Sequence, residues 1–228
     1  MTDRGFAVAL IGPDGAGKTT VARRLERELG LPCTYLYMGV NPTSSNRLLP
    51  TTRLAQALKV RRSTTGTVAA PHRGRSARSP FRRAVRGLRS GAWLMNRLAE
   101  ETYRLALSWR ARRRGLVVIL DRDFYYDYHA TDVTARAASP GRRLHGALLR
   151  TVYLKPDLVV YLDAPPEVLV ARKGEGTLES VAARRAQYLE LVRQAREHRI
   201  VDATLPLDAV VDEVANHVRA FALRQGRT

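Results

Sequence analysis

Cysteine is almost absent: Cys33 is the one thiol in 228 residues, which excludes an intramolecular disulfide and a cysteine-based metal cluster and fits a reducing compartment. Long apolar runs are missing too. No stretch approaches the roughly 18 to 20 residues that a membrane span needs, so a membrane-embedded protein is excluded. The first residues, Met1-Thr2-Asp3-Arg4-Gly5, lack the basic start and small-residue cleavage site of a secretory leader, and a cytoplasmic location is expected. Lysine is scarce, four of 39 basic residues; the arginine excess fits either guanidinium chemistry or the codon bias of a GC-rich genome. Acidic residues are missing from one region. From Arg47 to Arg114 there are 18 Lys plus Arg against only Glu100 and Glu101, while the rest of the chain has 21 against 19. Nearly all of the net charge of +18 is therefore local, and its distribution says more about partners than its total.

What is present is a composition of 45% hydrophobic and 26% charged residues, that of a globular protein, at a length that suits one α/β domain. Phe6 to Ile11 is a short apolar run that reads as a buried parallel strand. After a glycine loop, Val21, Ala22, Leu25 and Leu29 recur at helical spacing, and Gly30 ends the helix. Further strands are expected at Thr34 to Met38, Leu116 to Leu120, Leu158 to Leu162 and Ile200 to Ala203. Helices are expected at Trp93 to Arg114, Pro166 to Arg172, Leu178 to His198 and Leu207 to Leu223. This alternation predicts a five-stranded parallel sheet with helices on both faces. Residues 61 to 91 break the rhythm, with nine basic residues, no acidic one and few large apolar groups. They are expected to form a mobile insertion, at least as far as Pro80, within a single domain spanning 1–228.

Gly12-Pro-Asp-Gly-Ala-Gly17-Lys18-Thr19 satisfies G-x-x-x-x-G-K-[ST], after a buried strand and before a helix. In that setting the backbone N–H groups of Gly12, Asp14, Gly15, Ala16, Gly17, Thr19 and Thr20 converge on a triphosphate at a helix N-terminus. Lys18 reaches the β and γ oxygens, and Thr19 ligates Mg²⁺. The competing interpretation is a glycine-rich turn with an exposed Lys. Asp121 ends the third strand, where a carboxylate holds Mg²⁺ or caps the next turn. Arg122 follows on the ligand-binding edge, suited to an acceptor phosphate or carboxylate, or to an ion pair with Asp123 or Asp127. Phe124, Tyr125, Tyr126 and Tyr128 suit stacking on a flat ring but suit core packing better. Further on, the helix from Pro166, the basic Arg172-Lys173-Gly-Glu-Gly-Thr177 loop and a second helix with Arg184 and Arg185 read as a lid over 166–198, or as a solvated helix hairpin.

Ile11 to Thr20, the Asp121-Arg122 pair, Pro156 to Glu167 and Val201-Asp-Ala203 resemble thymidylate kinases, in the same order, over almost the whole chain except residues 61 to 91. The resemblance implies the P-loop NTPase fold with the strand order of P-loop kinases, MgATP as the phosphoryl donor, and Asp14 near the acceptor sugar. Ala16 stands where one subgroup carries an arginine. The other subgroup keeps its arginines in the lid, as Arg172 with Arg184 or Arg185 would. Two departures concern the acceptor side. The family's Arg-Glu-Pro-Gly motif is replaced by Tyr37-Met-Gly-Val-Asn-Pro42, and Asp123 intervenes before Phe124, where it would repel a phosphate but serve a hydroxyl as base.

The expected activity is thus a small-acceptor kinase, with Lys18, Asp121, Arg122 and Arg172 catalytic and with Asp14, Arg122, Asp123 and Phe124 at the acceptor. Thr19 and Asp121 would hold the metal, and Arg172, Lys173, Arg184 and Arg185 would act from the lid. A nucleoside monophosphate resembling dTMP is the leading acceptor, and a sugar or natural-product hydroxyl the alternative. A nucleic-acid-binding NTPase or polynucleotide kinase is a less favoured third class, and a homodimer is a possible assembly.

Overall fold

The computed structural model describes residues 4–39, 80–133, 140–174 and 176–226. In chain order the elements are β1 (Ala7–Ile11), α1 (Lys18–Glu28), β2 (Cys33–Tyr37), α2 (Pro80–Arg113), β3 (Val117–Asp121), α3 (Phe124–Tyr128), a π-helical turn (His129–Val133), α4 (Pro140–Thr151), β4 (Leu158–Asp163), α5 (Pro166–Lys173), α6 (Leu178–Arg193), β5 (His198–Asp202) and α7 (Leu207–Arg224). All strand pairs are parallel, in the order β2-β3-β1-β4-β5. Ala9 in the central strand lies opposite Leu120 on one side and Val159 on the other.

The strands lack polar alternation because both faces of the sheet are covered. Val8 and Leu10 pack with Val21, Ala22 and Leu25 of α1 and with Val211, Val214 and Val218 of α7. Ala7, Ala9 and Ile11 face the other way, into a cluster with Leu105, Leu149, Leu191 and Val192. Because all strands run one way, their carboxyl ends share one edge. Gly12, Gly39, Asp121 and Asp163 are thereby brought to the same side of the molecule. No helix among the described residues is long and apolar enough to cross a membrane.

The larger differences from expectation lie in the helices. The helix expected from Trp93 begins at Pro80, so residues 80–91 of the anticipated insertion are helical; their arginines are good helix formers, a preference that low apolar content does not cancel. Helix α4 was not anticipated, although Pro is well suited to a first helical turn. The second lid helix ends at Arg193, five residues short of His198, where β5 begins. Most of the basic insertion, residues 61–79, lies outside the described residues, as do Val40, Asn41 and Pro42.

Helix α6 starts with a reciprocal cap. Thr177 Oγ1 accepts from the Ser180 N–H at 3.2 Å, and Ser180 Oγ accepts from the Thr177 N–H at 3.1 Å. Thr177→Ala is expected to cost about 1 kcal/mol of stability, read by urea denaturation. An unchanged midpoint would mean that the cap adds nothing to the packing of α6.

Candidate active site

The loop between β1 and α1 is shaped by its close approach to β4 and α5. At Gly12 (φ 148°) a Cβ would fall 2.6 Å from the Leu162 carbonyl oxygen, and at Gly15 (φ 91°) 2.7 Å from that of Leu169 in α5. Both positions require glycine, for conformation and for space. Ala16 is buried and donates its N–H to the Pro13 carbonyl at 3.3 Å, while Thr19 and Thr20 are exposed on the first turn of α1. Lys18 is buried and donates from Nζ to the carbonyls of Gly12 (2.8 Å) and Pro13 (2.6 Å), and Asp14 Oδ1 lies 4.0 Å away. Burial, with the positive charge of Arg122 beside it, lowers the Lys18 ammonium to about 8. The side chain thus spans the loop it serves.

Asp121 closes β3 with no solvent exposure. Its Oδ2 accepts from the Tyr35 hydroxyl at 2.9 Å, and Oδ1 is buried with no hydrogen-bond partner among the described residues. A buried carboxylate oxygen with a spare lone pair beside a P-loop suits a hard cation such as Mg²⁺ or one of its waters, and the exposed Thr19 hydroxyl is a fitting second ligand.

Arg122 is the one non-glycine residue with positive φ (72°) among the described residues, a conformation that costs free energy and concentrates at functional sites. Its N–H donates to the Leu10 carbonyl at 3.0 Å, tying β3 to β1. Its guanidinium donates from Nη2 to Asp14 Oδ1 at 2.6 Å, and Nη1 lies 3.9 Å from Asp127 Oδ2. Of the two ion pairs anticipated for Arg122, the one with Asp127 is present, and Asp14 is the closer partner. From α6, Arg184 Nη1 comes within 3.6 Å of Asp14 Oδ2, and Tyr188, one turn further along, donates its hydroxyl to Asp127 Oδ1 at 3.0 Å. Burial would raise Asp14, but Arg122 foremost, then Lys18 and Arg184, hold it below its ordinary value.

Several expected site residues are placed elsewhere. Asp123 is fully buried and caps α3. Its Oδ1 accepts from the N–H groups of Tyr125 (3.0 Å) and Tyr126 (3.4 Å), and Oδ2 from the Tyr153 hydroxyl (2.7 Å). A carboxylate so enclosed is a helix cap rather than an acceptor ligand. Phe124 is likewise core, packed with Tyr128 and Tyr153. Arg172 is exposed and donates to the Ala203 carbonyl at 2.7 Å, and Lys173 is exposed on the same helix. Arg185 makes a two-pronged pair with Asp163 at 2.7 Å for each contact. Of the four cations expected in a lid, Arg184 contacts the P-loop through Asp14.

Asp127 and Tyr188 were not anticipated as site residues. Their signal was weak: Asp127 stood only as a partner for Arg122, and Tyr188 shares a helix face with Arg184. Arg104 was also missed. Buried in α2, it pairs with Glu100 (2.9 Å) and donates to the Gly39 carbonyl (2.8 Å), fixing the end of β2 against Arg122, whose Cδ would overlap any side chain at Gly39.

No family model matches the chain. Among solved structures, one described as "Structure of deoxyadenosine kinase from M.mycoides with products dcmp and a flexible dcdp bound" superposes with a TM-score of 0.56 at 17% identity, over 94% of this chain and 99% of that one. The chain has the P-loop NTPase fold. At that identity the likeness speaks for the fold, and the strand order and P-loop placement agree with it.

Within this P-loop fold Asp123 makes stability depend on pH. Burial, aided by the charge of Asp127, raises it to about 7. Between its ordinary value of about 4 and that figure, the folded protein holds a proton that the unfolded chain has released, so stability falls as pH rises across the window and is level above it. Asp123→Asn, which still caps the helix, is expected to remove up to about 1.4 kcal/mol of that fall per pH unit. Denaturation in metal-free buffer between pH 4 and 8 measures it, and parallel curves for variant and wild type would refute the assignment.

Proposed function

We propose that this protein is a kinase that transfers the γ-phosphoryl group of ATP to a hydroxyl of a small acceptor of nucleoside size. The observation that carries the reading is the convergence of Lys18, Arg122 and Arg184 on Asp14 at the mouth of the P-loop, beside the buried Asp121 Oδ1, which has no hydrogen-bond partner among the described residues. Such an array binds a triphosphate and neutralises charge on a transferring phosphoryl group. In this reading the loop N–H groups and Lys18 hold the β and γ phosphates. Thr19 and Asp121 hold Mg²⁺, which when bound offsets phosphate charge. Arg122 and Arg184 meet the γ-phosphoryl oxygens, and the α5–α6 lid keeps water from the reaction.

A hydroxyl acceptor is favoured over a phosphate because the described arginines of this edge are already engaged. Arg122 is taken up by the γ-phosphoryl group, Arg104 is paired with Glu100, and Arg97 of α2 contacts Glu101 (3.1 Å) and Asp132 (2.8 Å). A second anion brought here would meet carboxylates. A nucleoside, the acceptor class named for the structural neighbour, has the required hydroxyl. The second reading is a nucleoside monophosphate such as dTMP, favoured by the thymidylate-kinase-like run from Ile11 to Thr20 and the Asp121-Arg122 pair.

The test is an acceptor screen with MgATP across deoxynucleosides, sugars and nucleoside monophosphates. A deoxynucleoside or sugar is expected to be phosphorylated, and turnover of monophosphates alone would decide for the second reading. Lys18→Ala and Asp121→Asn are each expected to lower kcat by about 100-fold or more with folding intact, as loss of a charge-stabilising group does. Full activity in either variant would sink the mechanism.

A further inference from the structure

A hydroxyl oxygen becomes an effective nucleophile toward phosphorus only as its proton leaves, so a kinase acting on one is helped by a carboxylate with an available lone pair. The carboxylates near the P-loop edge differ sharply in this respect. Asp121 has one oxygen held by Tyr35 and the other suited to the cation. Asp123 has both oxygens engaged within the protein. Asp163 is held on both oxygens by Arg185. Asp14 contacts three cations, Arg122, Arg184 and Lys18, which make it a poor proton acceptor. Asp127 is different. Its side chain is 9% exposed, Oδ1 is fixed by the Tyr188 hydroxyl, and Oδ2 stands 3.9 Å from Arg122 Nη1 with no hydrogen bond to it among the described residues.

We propose that Asp127 is the general base that receives the proton of the acceptor hydroxyl. This rests on the reading of the acceptor as a hydroxyl compound. The acceptor O–H bond breaks with its proton passing to Asp127 Oδ2. The oxygen electron pair forms the new bond to the γ-phosphorus, and the bond from that phosphorus to the β,γ-bridging oxygen breaks, leaving ADP with its electron pair. Asp127 then returns the proton to solvent. Tyr188 fixes the carboxylate from the lid helix, so that the base is oriented when Arg184 of the same helix meets Asp14. Burial raises the Asp127 carboxyl above its ordinary value, against the pull of Arg122 and Lys18 and the Tyr188 hydrogen bond, with Asp14 adding to the rise. A raised value brings a carboxylate closer to neutral pH, where a base is most effective.

The experiment measures kcat/KM against pH for wild type, Asp127→Asn and Asp127→Glu, with MgATP and deoxyadenosine, deoxycytidine or thymidine as probes. For wild type the rate is expected to fall on the acid side through a limb lying above the ordinary carboxylate range, because protonated Asp127 cannot accept a proton. Asp127→Asn is expected to lose about 100-fold or more in kcat, as removal of a general base does, together with the acid limb. Asp127→Glu is expected to restore part of the rate and the limb, and it keeps the test decisive if the Asn variant is unfolded. An Asn variant that keeps the wild-type kcat and limb would overturn the assignment while leaving the kinase standing. A rise in acceptor KM with the limb retained would also overturn it, making Asp127 a positioning residue for Arg122. A wild type that phosphorylates no hydroxyl acceptor would overturn the functional reading, and the base with it.

Discussion

The ion pair between Arg122 and Asp14 holds the candidate site together. One partner follows β3, the other lies in the loop after β1, and their 2.6 Å contact joins two elements more than 100 residues apart in sequence. The backbone of Arg122 is held at positive φ, with its N–H bonded to Leu10, and that conformation aims the guanidinium across the sheet edge. The free energy stored in such a conformation persists only where surroundings over-determine it. Here they are Leu10 below, Gly39 with no room for a side chain beside it, and carboxylates on both sides. Helix α6 reaches this same centre through Arg184 and Tyr188, so its position and that of Arg122 are linked through two acidic side chains.

Under the proposed kinase reading, the charge arrangement around that pair separates a donor side from an acceptor side. On the donor side a buried Lys18 is satisfied by two loop carbonyls, contacts that phosphate oxygens would replace with stronger, charge-assisted ones. On the acceptor side each described arginine already meets a carboxylate or a carbonyl. A phosphate arriving there must compete with these partners, whereas a hydroxyl needs only a lone pair. Asp127 offers one.

Much of the architecture was legible in the sequence because parallel strands buried on both faces leave an unambiguous record: five apolar runs, two of them ending in Asp. The P-loop was equally legible, since glycines, Lys18 and Thr19 must keep fixed spacing between a strand and a helix. Asp121 and Arg122 followed from their place at a strand end. Asp123 was misread for a physical reason: from spacing alone, a carboxylate beside Arg122 looks like a ligand, but its position just before Phe124 is equally that of a helix cap, and the cap prevails once Tyr153 closes over it. The lid arginines were read as one group because they are close in sequence. On helices they point in different directions, so that Arg184 meets Asp14 while its neighbour Arg185 turns to Asp163. Asp127, Tyr188 and Arg104 carry no motif; their roles come from side chains brought together by packing alone.

The same distinction changes how the concentrated positive charge reads. By count, the region from Arg47 to Arg114 looks like a surface for a polyanion. In the described half of α2, however, Arg97 and Arg104 point inward. Arg97 lies 3.5 Å over the Tyr128 ring and contacts Glu101 and Asp132, while buried His145 sets one ring nitrogen 2.8 Å from Asp132 and the other 2.7 Å from Glu101. Arg104 is 2% exposed, and Arg112 is paired with Asp157, which in turn accepts from the Ala7 N–H of the central strand. These arginines are matched charge by charge with acids drawn from β-strand ends, the π-helical turn and their own helix. For Arg97 and Arg104, removing one partner would leave a buried, uncompensated charge, which costs far more than a surface pair contributes. The surplus counted along the chain is therefore partly internal, fastening α2 to the sheet and to α4, and for these three residues it belongs to the scaffold behind the candidate site.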